Sequence, residues 1–226
     1  MSMAPNDEFI REVDEEYRRD RIAQIWKRYN GVIIGVAVLV VAAVGGWRYW
    51  EHAQETRSQA AAVRYEDALR LSRQEGKGAE AQAALEALAK EGSSGYSLLA
   101  RFRLAAELGQ QNPENGASAY DALANDGNVG PLWQDLARLR AAWLRLDTAE
   151  PARIRSDLER LAVPTNAWRH SARELLGLSG LKAGDMDYAG RWFDQIAADR
   201  ETPAALRQRL AVYTALVAGG AVPVTQ

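Results

Sequence analysis

None of the 226 residues is a cysteine, and only His52 and His170 are histidines. The absence of cysteine excludes disulfide bonds, thiolate metal sites and cysteine nucleophiles. His52 follows an aromatic cluster, and we expect it at the level of lipid headgroups rather than at a metal. His170 lies in a polar patch of a predicted helix, where a single histidine is expected to be a solvated surface residue.

Signals for other chemistry are equally scarce. The only glycine-rich candidate for a phosphate loop, Gly76-Lys77-Gly78, lacks the rest of that motif. Adjacent acids such as Glu66 and Asp67 diverge by about 100° around a helix, so they cannot share a site. The net charge of −2 is balanced along the chain and does not favour nucleic-acid binding. We therefore expect no enzyme activity, no metal or cofactor, and no small-molecule substrate.

One stretch, residues 31–47, contains no charged side chain and is called the apolar run below. Its 17 residues would span roughly 25 Å as a helix, near the short limit for crossing a bilayer core of about 30 Å. Aromatic residues flank it at both ends, as in membrane helices: Trp26, Tyr29, Trp47, Tyr49 and Trp50. We predict a transmembrane helix over residues 30–50. A buried core helix and the apolar segment of a signal peptide are the alternatives.

An uncleaved anchor is favoured over a signal peptide, because 30 residues precede the apolar run and seven of them are acidic. The run also closes in Trp-Arg-Tyr-Trp, which is bulky where cleavage requires small side chains. Six Lys or Arg residues lie within the 20 positions before the run and three within the 20 after it. This bias predicts a cytoplasmic charged tail over residues 1–29 and a periplasmic domain over residues 51–226.

Residues 51–226 are rich in strong helix formers, and Gly, Pro and Asn-Pro breakers interrupt them at intervals typical of short helices. These signals predict helices near 52–75, 79–91, 95–110, 114–125, 131–147, 151–162, 166–183, 186–199 and 203–218. The predicted fold class is therefore all-α, with a single transmembrane helix followed by four helical hairpins and a terminal helix.

Two series of residues recur along these hairpins. In each first helix a small or leucine pair recurs at steps of 36, 37 and 35 residues: Ala68-Leu69, Leu104-Ala105, Ala141-Ala142 and Leu176-Gly177. In each second helix a trio recurs at steps of 35, 38 and 35 residues: Ala81/Leu85/Leu88, Gly116/Tyr120/Leu123, Ile154/Leu158/Leu161 and Ala189/Phe193/Ile196. A helical repeat of about 34 residues is typical of a tetratricopeptide-like solenoid. An ordinary helical bundle with accidental periodicity is the alternative.

Particular stretches add a resemblance to a known family. The apolar run closes as Gly46-Trp47-Arg48-Tyr49-Trp50, and residues 96–108 read Tyr-Ser-Leu-Leu-Ala-Arg-Phe-Arg-Leu-Ala-Ala-Glu-Leu. From about Asp20 onward, the chain resembles the YfgM-like ancillary subunits of the Sec translocon. The resemblance implies a single-pass bacterial inner-membrane protein whose periplasmic repeats help to pass exported proteins to chaperones. It implies the SecYEG channel and a membrane-anchored peptidyl-prolyl isomerase-like chaperone as partners.

Repeat domains of this type bind partners on the concave face, which the first helices line. The register of the fourth repeat, carried to the others, places five apolar residues there: Phe102, Leu139, Trp143, Leu178 and Leu181. The alternative is that these residues belong to the core. Six arginines on the same helices could serve acidic partners or be ordinary surface residues: Arg101, Arg103, Arg138, Arg140, Arg169 and Arg173.

A second candidate surface lies on the membrane helix, where small residues recur: Gly31, Gly35, Ala42 and Gly46. Such a face lets another helix pack closely in lipid, although matches also arise by chance in a run rich in glycine and alanine. The sequence thus predicts a non-enzymatic, membrane-anchored interaction module at the Sec translocon. The alternative function is a membrane-anchored scaffold for envelope assembly or cell division.

Overall fold

The computed structural model describes the backbone of residues 5–91 and 95–219, and the side chains of residues 26–32, 34–91 and 95–219. The regular secondary structure of these residues consists of helices, with no β-strand, so the predicted all-α class is confirmed. The side chains of the predicted tail up to residue 25 lie outside the described ones. The chain divides into two compact units, Met1–Gln59 and Ala60–Gln226.

The first helix, α1, is a single helix of 68 residues from Pro5 to Ser72. Its portion Trp26–Ser72 is long and apolar enough to cross a membrane, with a mean hydropathy of 2.1 over its most apolar window. None of that window is buried, whereas a helix in the core of a water-soluble domain would be mostly buried. The flanking aromatics are exposed too, and the rings of Trp47 and Trp50 lie 6.3 Å apart.

The second unit contains the end of α1 and eight further α-helices within the described residues. They are α2 (Gly78–Lys90), α3 (Gly95–Gln111), α4 (Pro113–Ala124), α5 (Pro131–Leu144), α6 (Pro151–Leu158), α7 (Arg169–Ala183), α8 (Met186–Ala198) and α9 (Ala204–Gly219). From α2 to α9, each helix packs mainly against its neighbours along the chain, and α1 shares a core cluster with α2 and α3. This gives the predicted order of four hairpins and a terminal helix.

Residues predicted to interrupt the helices lie at helix ends in the structure. Asn112 caps α4, because its side-chain oxygen accepts hydrogen bonds from the backbone N–H groups of Glu114 and Asn115 at 2.9 and 3.2 Å. Gly184 ends α7 with a φ of 72°, a left-handed conformation that glycine adopts without strain. Asp185 then caps α8 by accepting a hydrogen bond from the Tyr188 N–H at 3.0 Å.

The helix bounds differ from the predictions in two places. The helix predicted near 52–75 is not separate, because it belongs with the apolar run to the single helix α1 that ends at Ser72. The second difference lies between α6 and α7. Regular α-helix stops at Leu158 and continues as a 3₁₀ turn over Glu159–Leu161. Helix α7 begins at Arg169 rather than at residue 166, because the Asn166 side chain accepts a hydrogen bond from the Trp168 N–H at 2.8 Å. An asparagine that bonds the backbone two residues ahead stabilises a turn instead of a helix.

The recurring trios form the cores of the hairpins, since all twelve of their members are buried. The small partners of the pairs permit close approach, as predicted. At Gly177 the ring of Phe193 occupies the space that a Cβ atom would need, and Gly109 does the same at Gly116. Helices can therefore approach more closely at these points than larger side chains would allow.

The first helices of successive repeats also touch, through an aromatic residue at or just before the start of the later helix. The Tyr96 ring lies 6.0 Å from that of Tyr65 on α1, and the Trp133 ring lies 5.7 Å from that of Phe102 on α3. Trp168, just before α7, donates its indole N–H to the backbone oxygen of Leu132 at 3.0 Å. These contacts keep the first helices side by side, so that they form a common surface.

Candidate protein-binding groove

A groove of about 270 Å³ lies between α5 and α7. Helix α5 supplies one wall through Leu136, Leu139, Arg140 and Trp143. The other wall comes from Trp168 and from α7 through Ser171, Glu174 and Leu175. Below, these eight residues are called the α5–α7 groove. Its walls are mostly apolar and contain two tryptophans, as in sites that bind protein segments.

The outward face of α5 extends beyond the groove. Trp133, Leu136, Arg140 and Trp143 follow one another at three- and four-residue steps, so they lie on one side of the helix. The side chain of Trp143 is 55% exposed and that of Trp133 is 38% exposed. Two exposed tryptophans on one face of a helix make this face a candidate for binding another molecule.

The opposite side of α5 fixes the orientation of this face. Ala137 and Ala141 are buried against α4 in the core of the second hairpin. At the end of α5, the guanidinium of Arg145 is buried and donates to Glu114 at 2.6 and 2.8 Å and to Asp121 at 2.7 Å. These hydrogen bonds raise the pKa of Arg145, and the one from Arg145 lowers the pKa of Glu114. Helix α5 is thereby held against α4.

The acidic residue of the groove is already paired. Glu174 is buried and accepts hydrogen bonds from two nitrogens of Arg209 on α9 at 2.8 and 2.9 Å. The hydroxyl of Tyr213 donates to the same carboxylate at 2.9 Å. The hydrogen bond to Glu174 raises the pKa of Arg209. Glu174 therefore leaves little acceptor capacity for a ligand.

The six arginines singled out from the sequence differ in their partners. Five form ion pairs: Arg101 with Asp126, Arg103 with Glu107, Arg138 with Asp135, and both Arg169 and Arg173 with Asp199. Arg140 is exposed and has no ion-pair partner among the residues that the structure describes. The α5–α7 groove thus carries one uncompensated positive charge.

The five apolar residues predicted for the binding face have different surroundings. Leu139 and Trp143 both line the α5–α7 groove. Phe102 lies in an adjoining aromatic cluster, with its ring 5.8 Å from that of Tyr120. Leu178 and Leu181 are half-buried against the cores of the third and fourth hairpins and do not line the groove. Their role in binding remains a prediction.

The small residues predicted for membrane-helix packing lie on α1. A Cβ atom added at Gly31, Gly35 or Gly46 would meet no neighbour within 4 Å among the described atoms, and Ala42 is exposed. The space beside them is open along this face. The packing of another helix against this face stays a prediction.

Several groove residues escaped the sequence interpretation. The sequence interpretation does not place Trp133 or Trp168 in a binding site, although each lies eight residues before a recurring pair, Ala141-Ala142 or Leu176-Gly177. The sequence interpretation also omits Leu136, Ser171 and Leu175. The available signal was the three- and four-residue spacing of Trp133, Leu136, Arg140 and Trp143 on α5.

The expectation that His170 is a solvated surface residue is wrong. Its ring is mostly buried, with Nδ1 3.3 Å from the Thr202 hydroxyl and Nε2 3.8 Å from the Asp199 carboxylate. The reason is that the first turn of α7 packs against the segment after α8. Burial lowers the pKa of His170. Within the described residues, no group of three or more His, Cys, Asp or Glu side chains could hold a metal ion.

Comparison with known proteins identifies the family of the repeats. The model of the tetratricopeptide repeat-like domain matches residues 24–212, which is most of the chain and includes the apolar run. No significant match was found among curated proteins or among solved structures. The family match agrees with the buried trios and the hairpin order described above. The chain therefore belongs to the tetratricopeptide repeat-like domain family.

Proposed function

We propose that this chain is a non-enzymatic, membrane-anchored module that binds a protein partner in the α5–α7 groove. One observation carries this proposal: Trp143 is largely exposed beside the apolar residues Leu136 and Leu139 in a tetratricopeptide-like domain. Such domains are generally protein-interaction modules rather than enzymes. A folded domain gains from covering an exposed tryptophan, and tryptophans are frequent anchors of protein interfaces.

The membrane anchor limits where such a partner is found. The apolar run lies in α1, and the bias of basic residues favours a cytoplasmic N-terminus. The repeat domain then occupies the periplasm of a bacterial cell, attached to the inner membrane. Partners that work at the periplasmic face of that membrane are therefore the ones the groove would meet.

The resemblance to YfgM-like subunits supports a more specific proposal. In it, the chain associates with the SecYEG channel and a membrane-anchored peptidyl-prolyl isomerase-like chaperone, and assists the handover of newly exported proteins. The apolar groove suits this task, because an unfolded exported chain and the chaperone that receives it both offer apolar segments.

A photo-crosslinking experiment tests the proposal in the intact membrane. A photoreactive amino acid replaces Trp143 in the full chain, and the matched control carries it at Glu159, which is exposed outside the groove. We expect adducts at position 143 that contain a channel subunit or the chaperone, and none at position 159. Equal labelling at both positions, or none at 143 in a well-expressed chain, would contradict the proposal.

A structural scaffold for envelope assembly or cell division is the second candidate function, and the membrane helix separates it from the first. Replacement of residues 31–47 by an unrelated spanning helix leaves a scaffold attached and active. If Gly31, Gly35, Ala42 and Gly46 contact the channel, the same replacement reduces co-purification of SecYEG. An unchanged yield of SecYEG would show that the apolar run is a tether only.

A further inference from the structure

Several polar groups of the α5–α7 groove can donate a hydrogen bond and have no acceptor in the described part of the chain. Arg140 has no ion-pair partner in the described part of the chain, and the Ser171 hydroxyl and the Trp143 indole N–H have no hydrogen-bond partner there. The one carboxylate of the groove, on Glu174, is held by Arg209 and Tyr213. A ligand that brings a negatively charged acceptor therefore complements the groove, and a basic ligand does not.

The position of Arg140 along α5 adds a geometric condition. Residues of an α-helix rise by about 1.5 Å each, so Arg140 lies about 6 Å from Leu136 and about 4.5 Å from Trp143 along the helix axis. Arg140 thus has an apolar residue of the groove on either side of it along the helix. A carboxyl terminus would use apolar surface on one side only, whereas an acidic side chain within a segment has neighbours on both.

We infer that the groove binds a protein segment in which an internal Asp or Glu pairs with Arg140, while apolar residues on either side contact Leu136 and Trp143. The inference rests on the proposed function and adds the chemistry of the partner. A wholly apolar segment would cover Arg140 and remove water from it without supplying a counter-charge, which is unfavourable. The internal acid supplies that charge and accepts hydrogen bonds from the guanidinium.

A peptide selection on the full chain in mild detergent tests this inference. The library consists of random short peptides that are displayed through their C-termini, so none offers a free terminal carboxylate. We expect enriched peptides to carry Asp or Glu between apolar residues. The best peptide is then synthesised, together with a copy in which its acid is replaced by the matching amide.

Three protein variants accompany the two peptides. Arg140→Gln removes the charge from the groove, Arg140→Glu reverses it, and Arg207→Gln removes an exposed arginine of α9 as the matched control. We expect about a tenfold loss of affinity or more from Arg140→Gln and from the amide peptide, because each leaves one partner of a charged hydrogen bond unpaired. Arg207→Gln should bind normally, and Arg140→Glu should select Lys or Arg in place of the acid.

The outcomes separate this inference from the proposed function. Peptides that are purely apolar, and that weaken with Trp143→Ala but not with Arg140→Gln, would overturn the acidic partner and leave the groove in place. Peptides insensitive to both changes, or the absence of any enrichment, would count against the groove as well. The amide peptide repeats the decisive comparison on the unaltered protein, so the test does not depend on the folding of a variant.

Discussion

Gly177 on α7 faces the ring of Phe193 on α8 so closely that a Cβ atom at position 177 would overlap the ring. Phe193 is fully buried, so it has little room to move aside. This contact is where the fourth hairpin closes, and it explains why a glycine follows Leu176 in that repeat. It also gives a direct test of the hairpin packing.

Gly177→Ala should lower the free energy of unfolding by about 1–3 kcal/mol, because overpacking forces side chains or backbone to shift. The measurement is urea unfolding of residues 56–226, expressed separately. Gly190→Ala on α8 is the matched control, since its added Cβ would meet Val217 at 3.5 Å, an ordinary contact. That control should be neutral or stabilise by about 0.5–1 kcal/mol. A Gly177→Ala domain as stable as its parent would contradict the close packing.

Residues 56–226 should fold alone as a helical monomer, because they contain all four hairpin cores. Circular dichroism should show mostly helix and a cooperative melting transition. Leu176→Asp should abolish that cooperativity, since position 176 is fully buried and offers the charge no partner. A β-rich or disordered spectrum of the parent fragment would contradict the repeat assignment.

Acid should weaken the contact between α7 and the segment after α8. The Arg169 hydrogen bond, followed by that from the Glu201 N–H, holds the pKa of Asp199 well below its usual value. The stabilisation is therefore present above the unfolded pKa of about 3.9 and is lost as the pH falls through the folded value. Asp199→Asn should lower the melting temperature at neutral pH, and the difference from the parent should shrink below about pH 4.

The exposed residue Asp194 on α8 provides the control for this pH series, because it forms no ion pair within the described residues. Asp194→Asn should melt like the parent at every pH. If Asp199→Asn behaves in the same way, the ion cluster at Asp199 contributes nothing to stability.

The orientation in the membrane can be tested with a fusion. Alkaline phosphatase attached after Gln226 should be active, because that enzyme forms its disulfides only in an oxidising compartment. The expectation follows from the six basic residues before the apolar run and the three after it. A well-expressed but inactive fusion would contradict the predicted orientation, and with it the proposed periplasmic partners.

The hairpins could be predicted from sequence because their signals are local. A trio such as Ala189, Phe193 and Ile196 lies within two helical turns, and its spacing alone defines a buried face. The turn at Gly184 and Asp185 is equally local. The burial of His170 could not be predicted in this way, since it depends on Thr202 and Asp199, which lie about 30 residues further along the chain.

The binding surface was only partly predictable for the same reason. Carrying the register of one repeat to the others selected Leu139 and Trp143, which line the groove, and also Leu181, which packs against the core around Phe193 and α9. Helix α9, which follows the fourth hairpin, contributes Leu206 and Leu210 to the same cluster. Within the described residues, Arg140 lacks an ion-pair partner because the nearby acids pair with other residues. The spacing of residues in the sequence does not show which acids are paired.

The measurement that tests the central claim most directly combines folding and partner recovery for Trp143→Ala in the full chain. Because Trp143 is 55% exposed, we expect the free energy of unfolding of this variant to lie within about 1 kcal/mol of the parent's. Phe193→Ala, in the core, should instead cost about 3–5 kcal/mol. Trp143→Ala should weaken binding of the partner by about 2 kcal/mol or more, so less partner should co-purify in mild detergent. A folded Trp143→Ala chain that recovers its partner undiminished would contradict the groove as the binding site.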